Sequence, residues 1–94
     1  MRIDVQLRAA RQIRTARAWW LRNRDKAPEA FDTDVEAALE LIADNPAVGF
    51  LINLRKRVRR VTLGRIRYYL YYRVHRDHLE VLSLWHTSRR PPRL

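Results

Sequence analysis

The chain has 94 residues, 47% of them hydrophobic, and a net charge of +10. That length predicts one domain over residues 1–94 with one modest core, and the apolar runs fall far short of the about 20 residues that cross a bilayer. The absence of cysteine excludes disulfides, thiolate metal sites and cysteine catalysis. With no signal-peptide stretch at Met1 to Val5, the composition predicts a cytoplasmic protein with no membrane partner.

Charge is segregated along the chain. Residues 1–27 hold eight cations and two anions, residues 28–54 six anions and no cation, and residues 55–94 twelve cations and two anions. Eighteen of the 20 cations are arginine, whose planar fork pairs with carboxylates and phosphates. The unpaired positive field of the third block predicts a polyanionic partner, nucleic acid or acidic protein.

Ile3, Val5 and Leu7 alternate with polar residues, which predicts a first strand. Ala9, Ile13, Ala16 and Trp20 then recur at helical spacing and predict a helix from about Arg8 to Asn23, with arginines on its other faces. A connection of about four residues leads to a second helix. Pro28 is placed at its first position, where a missing N–H costs nothing. Phe31, Val35, Ala38, Leu39 and Ile42 form its apolar stripe, and Asp44-Asn45-Pro46 stops it. So short a connection forces an antiparallel helical hairpin, whose basic and acidic surfaces are expected to pair along a common edge.

The remainder is rich in Tyr, Val, Leu and Ile and predicts strands at Val58 to Leu63, Ile66 to His75 and His78 to His86. The expected fold is therefore α+β, β-α-α-β-β-β, with the helical hairpin on one face of a mainly antiparallel four-stranded sheet. With Arg76 and Asp77 as a two-residue turn, Tyr72 faces Val81, Leu70 faces Ser83 and Tyr68 faces Trp85 on one side. Tyr71 then faces Leu82, Tyr69 faces Leu84 and Arg67 faces His86 on the other. One face covers the helices, and the other is left rich in Arg, Tyr and His, a surface suited to nucleic acid or peptide.

Four segments carry a family resemblance. They are Ala27-Pro28-Glu29-Ala30-Phe31 with the helix ending in Asn45-Pro46-Ala47-Val48-Gly49, the basic run Leu54 to Val61, Gly64 to Val74, and Leu79 to Arg90. In order, spacing and charge the chain resembles the RelE/ParE superfamily of small basic bacterial toxins from type II toxin–antitoxin modules. The resemblance implies two alternatives. ParE-like members poison DNA gyrase, and RelE-like members are endoribonucleases that cut mRNA on the ribosome. Both imply inhibition by an antitoxin partner.

Under the nuclease alternative, His86 is the proton carrier, and Arg60 and Arg67, with Arg59, stabilise the phosphate. Tyr69 stands where nuclease members usually carry an arginine, which favours the ParE-like alternative. In either case Arg55, Lys56, Arg57, Arg59, Tyr69, Tyr71, Arg89 and Arg90 are candidate target or nucleic-acid contacts. Trp19, Trp20 and Phe31 are candidate antitoxin contacts. A plain nucleic-acid-binding protein is the third reading, on charge alone. The two glycines form no phosphate-cradling loop, and neither a metal site nor a cofactor is expected.

Overall fold

The alternating Ile3 and Val5 and the helical stripe that follows give strand β1, Arg2–Val5, and helix α1, Leu7–Asn23, in a computed structural model that describes residues 1–24 and 27–94. Helix α2, Ala30–Asp44, follows, then β2, Phe50–Asn53, β3, Val58–Leu63, β4, Tyr68–Val74, and β5, His78–His86. The expected four-residue connection between the helices includes residues 25 and 26, which lie outside the described residues. Helix α2 begins at Ala30, two residues after Pro28, which sits in the preceding turn.

The sheet has five strands, in the order β1-β5-β4-β3-β2, and not the expected four. The additional strand is β2, at the edge beside β3. Its residues Phe50, Leu51 and Ile52 are all exposed. It has no buried face, so it lacks the alternation by which the other strands declare themselves. The β1–β5 pair is parallel and the other pairs are antiparallel.

Both helices lie on one face of the sheet. Ala9, Ala16 and Trp20 of α1 and Phe31, Val35, Ala38 and Ile42 of α2 pack against Val61, Leu63, Leu70, Tyr72, Leu79, Val81 and Leu84. The predicted stripes thus face the core, with Ile13 and Leu39 partly buried at its border. The Trp20 indole donates to the Ala27 carbonyl at 2.8 Å and closes the hairpin end. Arg17 on α1 pairs with Asp32 on α2 at 2.9 Å, as the charge blocks lead one to expect. Where β1 ends, Gln12 of α1 takes over the edge of β5: its Oε1 accepts from the Leu84 amide at 3.0 Å and the Ser83 hydroxyl at 2.9 Å.

The β4–β5 register follows the expected pairing only near the turn, where Tyr72 faces Val81 and Arg73 faces Glu80. It then shifts. Tyr71 faces Ser83, Leu70 faces Leu84, Tyr69 faces Trp85 and Tyr68 faces His86. Leu82 is the extra residue of a β-bulge, and each residue beyond it on β5 presents the face opposite to the expected one. Trp85 therefore joins Tyr69 on the face away from the helices, while His86 turns to Tyr68 on the helical side. The expected Arg67–His86 pair does not form. Arg67 lies in the turn before β4 with φ 60°.

The α2–β2 loop is held by a buried tyrosine. The Tyr72 hydroxyl donates to the Pro46 carbonyl at 2.8 Å and accepts from the Gly49 amide at 2.9 Å. A side chain at 49 would meet this hydroxyl at 2.5 Å, so glycine is required there by space. Burial pushes the Tyr72 phenol up, partly offset by its bond to Gly49 and by nearby Arg59. On the face away from the helices, Val58, Tyr71 and Leu82 form a small second cluster with Tyr69, Trp85 and Leu94. The segment after β5 folds back over it, with the Trp85 indole donating to the Arg90 carbonyl at 2.6 Å.

Candidate functional site

The arginines of the third charge block fall into places with different chemistry. Arg55, Lys56 and Arg57 form the β2–β3 turn. The Asn53 side chain accepts from the Lys56 amide at 2.9 Å, and Arg57 adopts φ 57°. All three are exposed. Arg57 shares a cleft of about 320 Å³ with Leu51, Leu54, Val74 and Arg76.

Arg59, expected as a contact, is occupied inside the chain. Its guanidinium donates to the carbonyls of Ala47 and Gly49 at 3.1 and 2.8 Å. It anchors the same loop as Tyr72. Arg60 does face the open side of the sheet. It stacks 4.0 Å over Tyr69 and lies 6.0 Å from the Phe50 ring. Across the sheet Tyr69 faces Trp85, and Arg89 stacks 3.7 Å over Trp85. Phe50, Arg60, Tyr69, Trp85 and Arg89 thus form a strip of three rings and two guanidiniums. Such stacking keeps the cations desolvated on one side and available on the other. Tyr71, also expected as a contact, is only 2% exposed and packs in the second cluster. Arg90 is exposed, with its carbonyl held by Trp85.

His86 stands at the other side. Its ring meets Tyr68 edge to face at 5.1 Å. The Ser88 amide donates to Nδ1 at 3.2 Å, which assigns the proton of the neutral ring to Nε2. Burial raises the Tyr68 phenol, and Arg89 partly opposes this. His86 and Arg67 line one cleft of about 490 Å³ with Trp19, Trp20 and Arg24. Arg60 is not part of it. The expected catalytic trio His86, Arg67 and Arg60 is therefore divided between the two sides of the sheet, because the Leu82 bulge turns His86 away from Arg60.

Of the three expected antitoxin contacts, only Trp19 offers surface, at 42% exposure; Trp20 and Phe31 are buried in the core. The exposed apolar surface lies elsewhere. Phe50 is 71% and Leu54 78% exposed, Leu51 and Ile52 between them are exposed too, and Val48 and, on α2, Leu41 are further exposed apolar residues. Sequence reasoning missed it, although the uncharged run Val48-Gly49-Phe50-Leu51-Ile52 just after the acidic helix was its signal. Among the described residues no group of three His, Asp or Glu side chains is placed to hold a metal ion, and no helix is long and apolar enough to cross a membrane.

Comparison with known proteins gives a family and a fold. Residues 3–91 match the model of a family described as ParE toxin of type II toxin-antitoxin system, parDE. A solved structure titled chromosomal ParDE TA system from P. aeruginosa contains a similar chain, 18% identical, with a TM-score of 0.69 over 94% of this chain and 97% of that one. No curated protein matches this sequence.

Proposed function

Since the chain belongs to the ParE toxin family of type II toxin–antitoxin systems, we propose that it arrests growth by poisoning DNA gyrase and is neutralised by a cognate antitoxin. The observation that carries the choice of target is the division of the nuclease trio. RNA cleavage by internal transfer needs a proton carrier and a phosphate-stabilising cation at one phosphorus. His86 and Arg60 lie on opposite sides of the sheet, and the open face offers Tyr69 beside Arg60. The open face suits binding by stacked guanidiniums and rings, with no proton carrier needed.

The edge at β2 supports the neutralisation half of this reading. It offers free backbone groups and an apolar rim of Phe50, Leu51, Ile52 and Leu54, next to the cations of the β2–β3 turn. An acidic antitoxin segment adding as a strand satisfies all three features. A second copy would bring like charges together.

The test is expression in growing cells, with DNA supercoiling and mRNA integrity followed together, and with purified gyrase assayed in parallel. Growth arrest with altered supercoiling and intact mRNA is expected. His86→Ala is expected to retain toxicity. A general acid or base removed from a nuclease would cost about 10²–10⁴ in rate, so loss of toxicity with gyrase undisturbed would assign the RelE-type reading instead. His86 and Arg67 in one cleft are the observation that favours that second reading.

A further inference from the structure

Beside the cleft that His86 shares with Arg67 lies a second one, of about 530 Å³, between α1 and the end of β5. The two meet at Trp19, Tyr68 and His86, which line both. The second cleft is floored by Ala16 and Leu84 and carries Arg11 and Arg89 on its rim. The first carries Arg24, Arg65 and Arg67. No carboxylate lines either cleft among the described residues. Among the described residues the side chains of Arg11 and Arg67 make no hydrogen bond or ion pair, whereas Arg65 is held by Asp34 at 2.6 Å.

We propose that this double cleft binds an unpaired strand of nucleic acid, with one base stacked at Trp19 and Tyr68 and the phosphates on either side of it held by Arg11 and Arg67. The placement of charge selects this occupant. A free mononucleotide has its phosphate on one side of the base, and would leave one arginine group unused. A strand has phosphates on both sides. A duplex presents paired, stacked bases and cannot enter an aromatic cleft. Exposed, ring-lined surfaces with cations along a track are the means by which single strands are held without sequence preference. The Arg24 guanidinium, 5.3 Å from the Trp19 ring centroid, lines the first cleft beside the indole and adds a further cation to the track. This activity goes beyond the proposed action on gyrase: the double cleft lies on the helical side and the stacked strip on the other, and Arg89, which lines the second cleft and stacks on Trp85, is the residue they share.

The experiment is fluorescence anisotropy of the full chain with a labelled thymidine dodecamer, an abasic dodecamer of equal charge, and a duplex. The thymidine strand is expected to bind about 5- to 100-fold more tightly than the abasic one and the duplex, the size of one base–aromatic stack. Trp19→Ala should weaken thymidine binding about 5- to 100-fold and leave abasic binding unchanged, while Trp19→Phe restores most of it. Arg11→Gln and Arg67→Gln should each lower the slope of log affinity against log salt by about 0.7. Arg14→Gln, on α1 but in neither cleft, should leave the thymidine preference intact. Trp19→Leu, which keeps apolar bulk and removes the ring, gives an independent loss if Trp19→Ala does not fold. Equal binding of thymidine and abasic strands, or displacement by polyglutamate at equal charge, would overturn the proposal and assign the clefts to acidic protein.

Discussion

The two faces of the sheet are built from the same strands with opposite chemistry. The helical face buries aliphatic and aromatic carbon from both helices and four strands. The open face has a three-residue buried cluster, and beyond it guanidiniums lying on rings. Alternation along the strands, reset on β5 by the bulge at Leu82, keeps the two sets apart. The comparison teaches that stability and the proposed target contact reside on separate sides, so substitutions should separate them.

The largest effect is expected from Phe31→Ala. This ring is 1% exposed and meets Tyr68 edge to face at 6.1 Å, and its loss should cost about 3–5 kcal/mol. For a small domain that removes much of the folded population, measurable by urea denaturation. Tyr72→Phe comes next. It leaves the buried Gly49 amide and the Pro46 carbonyl without their partner and should cost about 1–3 kcal/mol. Hydrogen exchange should show the loosening confined to the α2–β2 loop and β2. A loss spread evenly over the sheet would contradict the anchoring role.

Arg60→Gln sharpens the comparison from the other side. Its stacking on Tyr69 contributes about 0.5–1 kcal/mol, so the melting temperature should move little while growth inhibition falls. Reduced toxicity that merely tracks reduced stability would erase the distinction between the faces. The smallest effect concerns acid. The Glu80 carboxyl is held below its ordinary range, first by the His75 hydrogen bond, then by Gln6, with Arg73 adding attraction. A depressed folded value means the stabilisation is present above the ordinary glutamate range and lost as pH falls below about 4. Glu80→Gln should flatten the pH dependence of the denaturation midpoint there and leave it unaffected by pH near neutrality.

The helices were legible because one stripe of each is apolar and the rest charged. Ala9, Ala16 and Trp20, and Phe31, Val35 and Ile42, fall where their spacing places them. Strands β3 and β5 were legible to the residue. Strand β2 was not, because Phe50, Leu51 and Ile52 lack a buried face and so carry no period. The register near Arg76 and Asp77 was legible from the turn. The bulge at Leu82 was not, since nothing in Val81-Leu82-Ser83-Leu84 marks which residue is extra. That one residue decided the site. It moved Trp85 to the open face and His86 to the helical side. Arg59 and Tyr71 read as contacts because residue type says nothing of whether a partner within the chain already holds them.

The parallel pairing of β1 with β5 sets a timetable for biosynthesis. The first strand to leave the ribosome must wait for the last one. At about 5–20 residues per second the wait lasts several seconds. Over that interval β1 has no neighbour, Gln12 has no strand edge to cap, and Trp85 and Arg89 of the stacked strip on the open face do not exist. The open face is thus completed last, by topology, and a partner synthesised alongside has that interval in which to arrive.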